Sequence, residues 1–149
     1  MRISGRNARR VIFGGIELRT GQRLFSVRPR QTKEDFAQWL LILHHRCPGC
    51  PMALLLDDNS SHTASANQAL ARRLGILLFP LPKRSPHLNP VDHLWRWGKQ
   101  KLAANRQDAD IDTLARLFIE GLRSLSPEQT LRLAGVLSKR FWLKRVLSN

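Results

Sequence analysis

The sequence is poor in acidic residues, in cysteine and in long apolar runs, and each shortage excludes a class of protein. Its 149 residues include 11 aspartates and glutamates against 25 lysines and arginines. No apolar run approaches the roughly 20 residues that span a bilayer, which excludes an integral membrane protein. Two cysteines are too few for a disulfide scaffold and fit a reducing compartment. The remaining composition, 42% hydrophobic and 24% charged, is that of a soluble globular protein.

The net charge of +14 favours a polyanionic partner, and nucleic acid is the first candidate. The first 30 residues contain eight arginines and a single acid, Glu17, so we expect residues 1–10 to form a basic N-terminal arm. No apolar stretch follows the first basic residues, so we expect no secretory signal in these residues. We therefore expect a cytoplasmic protein that associates with the nucleoid when it is bound to DNA.

The first third of the chain predicts an antiparallel hairpin followed by a helix. Residues 11–19 and 24–28 are short, partly β-branched runs, and the Thr-Gly-Gln-Arg segment between them is typical of a turn. Thr32 and Asp35 then match a helix N-cap with an acidic third position, and apolar residues recur at helical spacing as far as His44.

The rest of the chain predicts parallel strands and further helices. The short apolar runs at 52–56 and 76–79 are typical of strands buried on both faces, and the helix between them should end at Gly75. Further helices are predicted to start at Asn89, at Asp110 or Asp112, and at Ser126, the last continuing to Phe141. This order predicts a mixed α/β sheet with a C-terminal helical extension at 106–149.

Two carboxylates occupy positions suited to a metal site. Asp57 directly follows the predicted strand 52–56, and Asp92 lies in the first turn of the helix that begins with Asn89 and Pro90. Ligands in open α/β sheets gather beyond the carboxyl ends of strands, and Mg²⁺ prefers carboxylate oxygens. Metal ions held by such carboxylates catalyse the cleavage of phosphodiester bonds. Each acid alone is more typical of a turn former or a helix-start residue than of a catalytic group, so only the joint pattern favours a metal site.

The segments around these acids carry a specific pattern. The first reads Leu54-Leu-Leu-Asp-Asp-Asn-Ser-Ser-His62, and the second reads Leu81-Pro-Lys-Arg-Ser-Pro-His-Leu-Asn-Pro-Val-Asp-His-Leu-Trp-Arg-Trp97. The chain closely resembles here the DDE-type transposases of the bacterial insertion-sequence and mariner superfamily. Their later blocks are a strand with Asp-Asn and a following His, and then Leu-Pro-x-x-Ser-Pro-x-Leu-Asn-Pro-(Ile/Val)-(Glu/Asp)-x-x-Trp. The 34 residues between Asp57 and Asp92 agree as well.

The resemblance covers roughly residues 10–105 and implies an RNase H-like catalytic fold that uses Mg²⁺ or Mn²⁺ on DNA. The fold would combine an antiparallel hairpin with parallel strands, flanked by helices. By motif match, Asp57 is the family's second acid and Asp92 its third. Asp58 stands where the family usually has Asn, so it is an alternative ligand, and His62 and Asn89 are candidates for supporting the site. Implied partners are transposon ends, target DNA and a second copy of the chain.

The chain departs from the family at its start. The family's first acid lies on a first strand before the hairpin, preceded by a helix-turn-helix, whereas residues 1–16 contain no Asp or Glu. We therefore interpret residues 1–149 as one truncated catalytic domain that lacks the first strand and has little or no activity alone. An upstream-encoded transposase portion would supply the missing acid. The alternative is a non-catalytic, basic nucleic-acid-binding protein; another kind of RNase H-like nuclease is disfavoured by the second motif.

Several other residues are open to two interpretations. Basic residues near the acids either line DNA or form a solvated surface: Arg9, Arg10, Lys83, Arg84, Arg96 and Lys99. Cys47 and Cys50 could form half of a zinc site, but no second half follows, which favours two free thiols at a helix end. Trp95 is expected in the core, whereas Trp97 could also stack on unpaired bases.

Overall fold

The computed structural model describes residues 1–4, 8–57, 59, 62, 64–102 and 110–148. The chain divides into two compact units, residues 1–29 with 90–149 (unit 1) and residues 30–89 (unit 2). Every helix in the described part of the chain is too short or too polar to cross a lipid bilayer.

The described residues form five strands and six helices, together with a short 3₁₀ turn at Pro86–Leu88. The strands are β1 (Arg2–Ser4), β2 (Arg9–Ile16), β3 (Arg23–Arg28), β4 (Met52–Leu56) and β5 (Ile76–Pro80). The helices are α1 (Lys33–Arg46), α2 (Ser65–Leu74), α3 (Pro90–Lys101), α4 (Ile111–Arg123), α5 (Pro127–Leu133) and α6 (Lys144–Leu147). The expected mixed α/β class, with an antiparallel hairpin and parallel strands, is confirmed.

Unit 1 begins with a three-stranded antiparallel sheet in the order β1, β2, β3. The predicted hairpin is confirmed, with Val11 paired to Arg28 and Ile16 to Arg23. The expectation that no strand precedes the hairpin is wrong, because β1 pairs with β2. Ile3 of β1 is buried between two exposed polar residues, the alternation of a strand with one face inward. Residues expected only as a basic arm therefore lie partly in the sheet. Strand β1 carries no carboxylate.

The core of unit 1 lies between one face of this sheet and helices α3 and α4. Trp95 is at its centre, with ring centroids 5.8 Å from Phe25 and 6.3 Å from Phe118. Gly14 on β2 is required there, because a Cβ atom at that position would collide with the indole of Trp95. Complete burial of a side chain such as Phe118 stabilises the fold by about 1.5–3 kcal/mol. The expected core position of Trp95 is confirmed.

The C-terminal part of unit 1 differs from the prediction. Ser126 does start helix α5 through a capping box, but the helix ends at Leu133 and does not continue to Phe141. Gly135 has a left-handed φ of 80°, and the N–H of Val136 donates to the carbonyl of Leu131 at 3.0 Å. This geometry is a helix-ending Schellman motif. The apolar spacing beyond Gly135 therefore belongs to turns and to the short helix α6.

Unit 2 begins with α1, and its predicted start is confirmed. The Thr32 side chain accepts from the N–H of Asp35, and the Asp35 carboxylate accepts from the N–H of Thr32. Helix α2 ends, as predicted, at Gly75, which has φ 73°. The buried amide of Asn67 donates to the carbonyl of Lys33 at 2.9 Å and so joins α2 to the start of α1.

Strands β4 and β5 pair in parallel, with Leu54 opposite Leu78. The predicted positions are correct, but the predicted burial on both faces is wrong, because only Leu56 of β4 and Ile76 of β5 are buried. Leu77 is 64% exposed and Phe79 49% exposed. Within the described residues, β5 is hydrogen-bonded only to β4, so it forms an edge of this sheet. A continuous apolar run therefore marks the strand here without marking full burial.

The two cysteines form a disulfide at the end of α1, with Cα atoms 5.5 Å apart. The expectation of free thiols is wrong. Cys47 is the C-cap of the helix, and the N–H of Cys50 donates to its carbonyl at 3.1 Å, which closes a turn that brings the sulfurs together. The described residues contain no group of three or more His, Cys, Asp or Glu side chains that could hold a metal ion, so the zinc alternative gains no support.

Candidate active site

Asp57 lies at the carboxyl end of β4, where the sequence predicted it. The strand ends at Leu56, whose carbonyl accepts from the N–H of Leu81 at 2.7 Å beyond the end of β5. The Asp57 side chain is 64% exposed. The parallel strand pair therefore positions the backbone, while the carboxylate itself faces solvent.

His62 holds this carboxylate. Its Nδ1 atom is 2.9 Å from Oδ1 of Asp57 and 3.1 Å from the Asp57 carbonyl oxygen. A carbonyl oxygen and a carboxylate oxygen only accept hydrogen bonds, so Nδ1 carries a hydrogen. The His62 side chain is only 9% exposed. The structure thus brings together two of the predicted site residues and fixes their orientation.

Phe36 of α1 supports the His62 ring, and this contact was not predicted. The two ring centroids are 4.3 Å apart, with an angle of 35° between the planes. Helical spacing identified Phe36 only as a core residue, and nothing local in the sequence relates it to His62. Through this contact, α1 limits the movement of the residue that orients Asp57.

The environment of Asp57 favours its charged form. The hydrogen bond from His62 lowers the pKa of the Asp57 carboxyl below its ordinary value, against the opposing effect of partial burial. The carboxylate is therefore ionised at neutral pH and retains lone pairs for a further ligand.

Asp92 is the third residue of α3 and is partly buried. Asn89 precedes the helix with extended backbone angles, φ −95° and ψ 111°, which suit the predicted N-cap position. An acid in the first helical turn is favoured by the helix dipole. Asp57 belongs to unit 2 and Asp92 to unit 1. Trp97 is partly buried and packs against the unit 1 core.

The predicted DNA-binding cations occupy surface positions in both units. In unit 2, Lys83 and Arg84 are exposed in the turn after β5, where Arg84 has a positive φ of 55°. In unit 1, Arg9 at the start of β2 is exposed, as are Arg96 and Lys99 on α3. These side chains reach solvent and are accessible to phosphate groups.

Arg10, also a predicted DNA-binding cation, has an acidic partner in the folded chain. Its Nε atom lies 3.0 Å from Oδ1 of Asp112, at the start of α4. Its Nη1 atom also donates to the carbonyl of Arg9 at 2.8 Å. Arg10 therefore contributes less unneutralised charge to the surface than composition alone indicates.

The donor chemistry of the predicted ligands fits a hard divalent cation, because Asp57 and Asp92 both offer carboxylate oxygens. No group of three acidic, histidine or cysteine side chains able to hold a metal occurs in the ranges that the structure describes. Asp58, the alternative ligand, lies outside the described residues.

Comparison with protein families finds one matching family model. The model for the DDE superfamily endonuclease domain matches residues 2–115, most of the chain. Among curated protein sequences, none is significantly similar to this chain. The segment after residue 115, which includes most of α4 and all of α5 and α6, lies outside the matched region.

Solved structures provide further similarity in fold. The Mos1 transposase catalytic domain with raltegravir and Mg is 19% identical, with a TM-score of 0.75 over 95% of this chain and 76% of that chain. The Mos1 strand transfer complex is also 19% identical, with a TM-score of 0.73 over 95% of this chain and 43% of that chain. The catalytic core domain of BIV integrase is 24% identical, with a TM-score of 0.59 over 84% of this chain and 79% of that chain.

Proposed function

Because the chain belongs to the DDE superfamily of endonucleases, we propose that it is the catalytic portion of a transposase and acts on the DNA ends of a mobile element. Its fold is the mixed α/β, RNase H-like fold of transposase and integrase catalytic domains. The observation that carries the proposal is the ionised Asp57 at the end of β4, oriented by His62, within the sequence pattern that also contains Asp92.

Asp57 and Asp92 are the residues proposed to hold Mg²⁺ or Mn²⁺. Their carboxylate oxygens are the donors that these ions prefer, and the exposed Asp57 side chain has room for a ligand beside its bond to His62. Two of the similar Mos1 catalytic domains are described with Mg and with Mn. When bound, such an ion supplies Lewis-acid activation at the phosphodiester and at the attacking oxygen.

The chain's own residues prepare the site in two ways. His62 donates from Nδ1 to Asp57, which keeps the carboxylate charged and in one orientation. Exposed cations of both units bind the phosphate backbone of the DNA in this proposal: Arg9, Lys83, Arg84, Arg96 and Lys99. Arg10 joins them only if its ion pair with Asp112 opens.

The proposed site requires a contribution from elsewhere. Residues 1–16 contain no acid, and β1, which precedes the hairpin, consists of Arg, Ile and Ser. We propose that an upstream-encoded polypeptide supplies the third carboxylate and a DNA-binding region, and that this chain alone has little or no strand-transfer activity. Solved complexes of Mos1 hold paired transposon ends, which supports assembly of more than one copy on DNA.

Metal binding tests the site without requiring catalysis. We expect Asp57→Asn and Asp92→Asn each to weaken Mn²⁺ binding, followed by electron paramagnetic resonance, by at least roughly tenfold. Glu120→Gln is the matched control, because it removes one exposed acid of α4 that pairs only with Arg116 in the described contacts. Equal Mn²⁺ affinity in the wild-type protein and all three variants would contradict the assignment of the ligands.

Catalysis tests the requirement for a partner polypeptide. The purified chain should not join labelled element-end DNA to a target plasmid with Mg²⁺ or Mn²⁺ present. Addition of the upstream-encoded polypeptide should restore joining, and Asp57→Asn or Asp92→Asn should abolish it again. Efficient joining by the wild-type chain alone, lost in either variant, would show that the site is complete.

The second candidate function is a non-catalytic nucleic-acid-binding protein, favoured by the acid-free β1 and by the excess of exposed cations. It predicts DNA binding that weakens with salt but is the same with and without Mg²⁺. It also predicts equal binding by the wild-type protein and Asp57→Asn, with no joining activity after the upstream polypeptide is added.

A further inference from the structure

We propose that residues 137–148, here called the C-terminal surface, form a second nucleic-acid contact that binds the phosphate backbone. The segment follows the Schellman motif at Gly135 and includes α6. It lies outside the region matched by the family model and contains none of the residues of the proposed active site. The proposal therefore goes beyond the function proposed above.

The C-terminal surface is a folded platform and not a loose tail. Phe141 and Leu147 pack against the small core that contains Leu131 and Val136. The guanidinium of Arg19, in the turn between β2 and β3, donates to the carbonyl of Leu147 at 3.1 Å and to that of Val146 at 3.4 Å. Since the backbone is already ordered, its outward side chains can bind a ligand at little further cost in entropy.

The charge of this surface has one sign. It contains four exposed cations, Lys139, Arg140, Lys144 and Arg145, and no acid follows Glu128 in the sequence. Glu128 itself lies 3.0 Å from Arg132 on the same helix. None of the four cations forms a salt bridge with another described residue, in contrast to Arg10. Charge complementarity therefore indicates a polyanion.

The same segment also carries exposed apolar side chains. Leu137 is 47% exposed, Trp142 41% and Val146 58%, while the neighbouring Phe141 points into the core. Protein surfaces that bind nucleic acid combine cations, which contact phosphates, with an aromatic side chain on which a base or sugar packs. Trp142 is placed to serve this purpose, and the four cations favour nucleic acid over an uncharged protein partner.

The test compares two variants of equal net charge in the full chain. The first replaces all four cations of the C-terminal surface with glutamine. The matched control replaces four exposed arginines elsewhere, Arg72, Arg73, Arg116 and Arg132, with glutamine. Binding to fluorescent duplex and single-stranded oligonucleotides is measured by anisotropy without divalent ions, across a series of salt concentrations.

We expect the first variant to reduce the magnitude of the slope of log affinity against log salt by up to roughly 3.6 on duplex DNA, because each of the four lost phosphate contacts contributes about 0.9. The control should change the slope by less than about one. Trp142→Ala should weaken binding to the single strand roughly tenfold and leave the salt slope unchanged.

Equal salt slopes for the wild-type protein and the first variant would overturn the proposal. If Trp142→Ala instead abolishes self-association in sedimentation and leaves DNA binding intact, the surface is a contact between copies of the chain, which also overturns it. Mn²⁺ binding by Asp57 and Asp92 is unaffected by either outcome, so failure here remains separate from failure of the proposed active site.

Discussion

The two units differ in how completely their sheets bury apolar residues. In unit 1, Ile12, Leu94 and Phe118 are at most 2% exposed and belong to one continuous core. In unit 2, β5 leaves Leu77 and Phe79 largely in solvent. Unit 2 nevertheless contains the hydrogen bond from His62 to Asp57, which orients a candidate ligand.

This difference shows that apolar packing and site geometry are supported by separate means. The stability of unit 1 depends mainly on the apolar area that is removed from water, and this hydrophobic contribution does not depend on the direction of individual contacts. The site in unit 2 depends on individual contacts: a helix cap at Thr32, a hydrogen bond donated by the side-chain amide of Asn67, and a ring contact between Phe36 and His62. Substitutions should therefore affect the two units to different extents.

The largest effect on stability is expected from Phe118→Ala. Removing this fully buried ring from unit 1 should lower the free energy of unfolding by about 3–5 kcal/mol, measured by urea denaturation. Phe79→Ala, the same change on the 49% exposed ring of β5, is the matched control and should cost about 1 kcal/mol or less. Equal losses would mean that the ring of Phe79 is as well packed as the ring of Phe118.

Loss of a helix cap should have an intermediate and similar effect in both units. Thr32→Ala in unit 2 and Ser126→Ala in unit 1 each break a capping box. Each should cost about 1 kcal/mol of unfolding free energy. Native-state hydrogen exchange would locate each loss. A much larger loss for Thr32→Ala would show that the start of α1 contributes more to unit 2 than its own helical turn.

A smaller effect, confined to acid, is expected at Glu17 in unit 1. Burial acts to raise the pKa of Glu17, but hydrogen bonds from Thr20 and Arg19 outweigh it and lower the pKa below 4.5. The stabilisation is therefore present above the unfolded value and is lost as pH falls through the folded pKa. Between about pH 6 and pH 3, the wild-type protein should lose more stability than Glu17→Gln. Parallel stability curves would contradict this.

The smallest effect is expected from Leu77→Ser. Since this side chain is 64% exposed, its replacement should change the free energy of unfolding by no more than about 0.5 kcal/mol. Ile76→Ser, one residue away but 4% exposed, should destabilise the chain by several times as much. A strong effect of Leu77→Ser would mean that the edge of β5 is covered in solution.

Local sequence signals predicted most elements of the fold. Cap residues gave the starts of α1, α4 and α5, and apolar runs gave β4 and β5. The sequence did not predict how deeply β4 and β5 are buried, because a short apolar run has the same pattern in an edge strand as in a central strand. The break after α5 was missed, although Gly135 was a visible signal, because the apolar spacing continued beyond it.

The candidate site was predictable as a set of residues but not as a geometry. The pattern named Asp57, His62 and Asp92, whereas the orientation of His62 depends on Phe36, 26 residues before it. Likewise, the pairing of Arg10 with Asp112 joins residues 102 positions apart, and charge counting treats both as independent. Contacts between distant segments depend on the folded chain, which no local pattern describes.

Because Gly14 has no side chain, the helix that carries Asp92 can pack close to β2. The indole of Trp95 occupies the space that a methyl group would fill, so α3 can approach β2 only as closely as hydrogen permits. Trp95 is three residues from Asp92, almost one helical turn. We therefore expect Gly14→Ala to displace the carboxylate of Asp92, 78 positions later in the sequence. Natural variants that change Gly14 should also change Trp95.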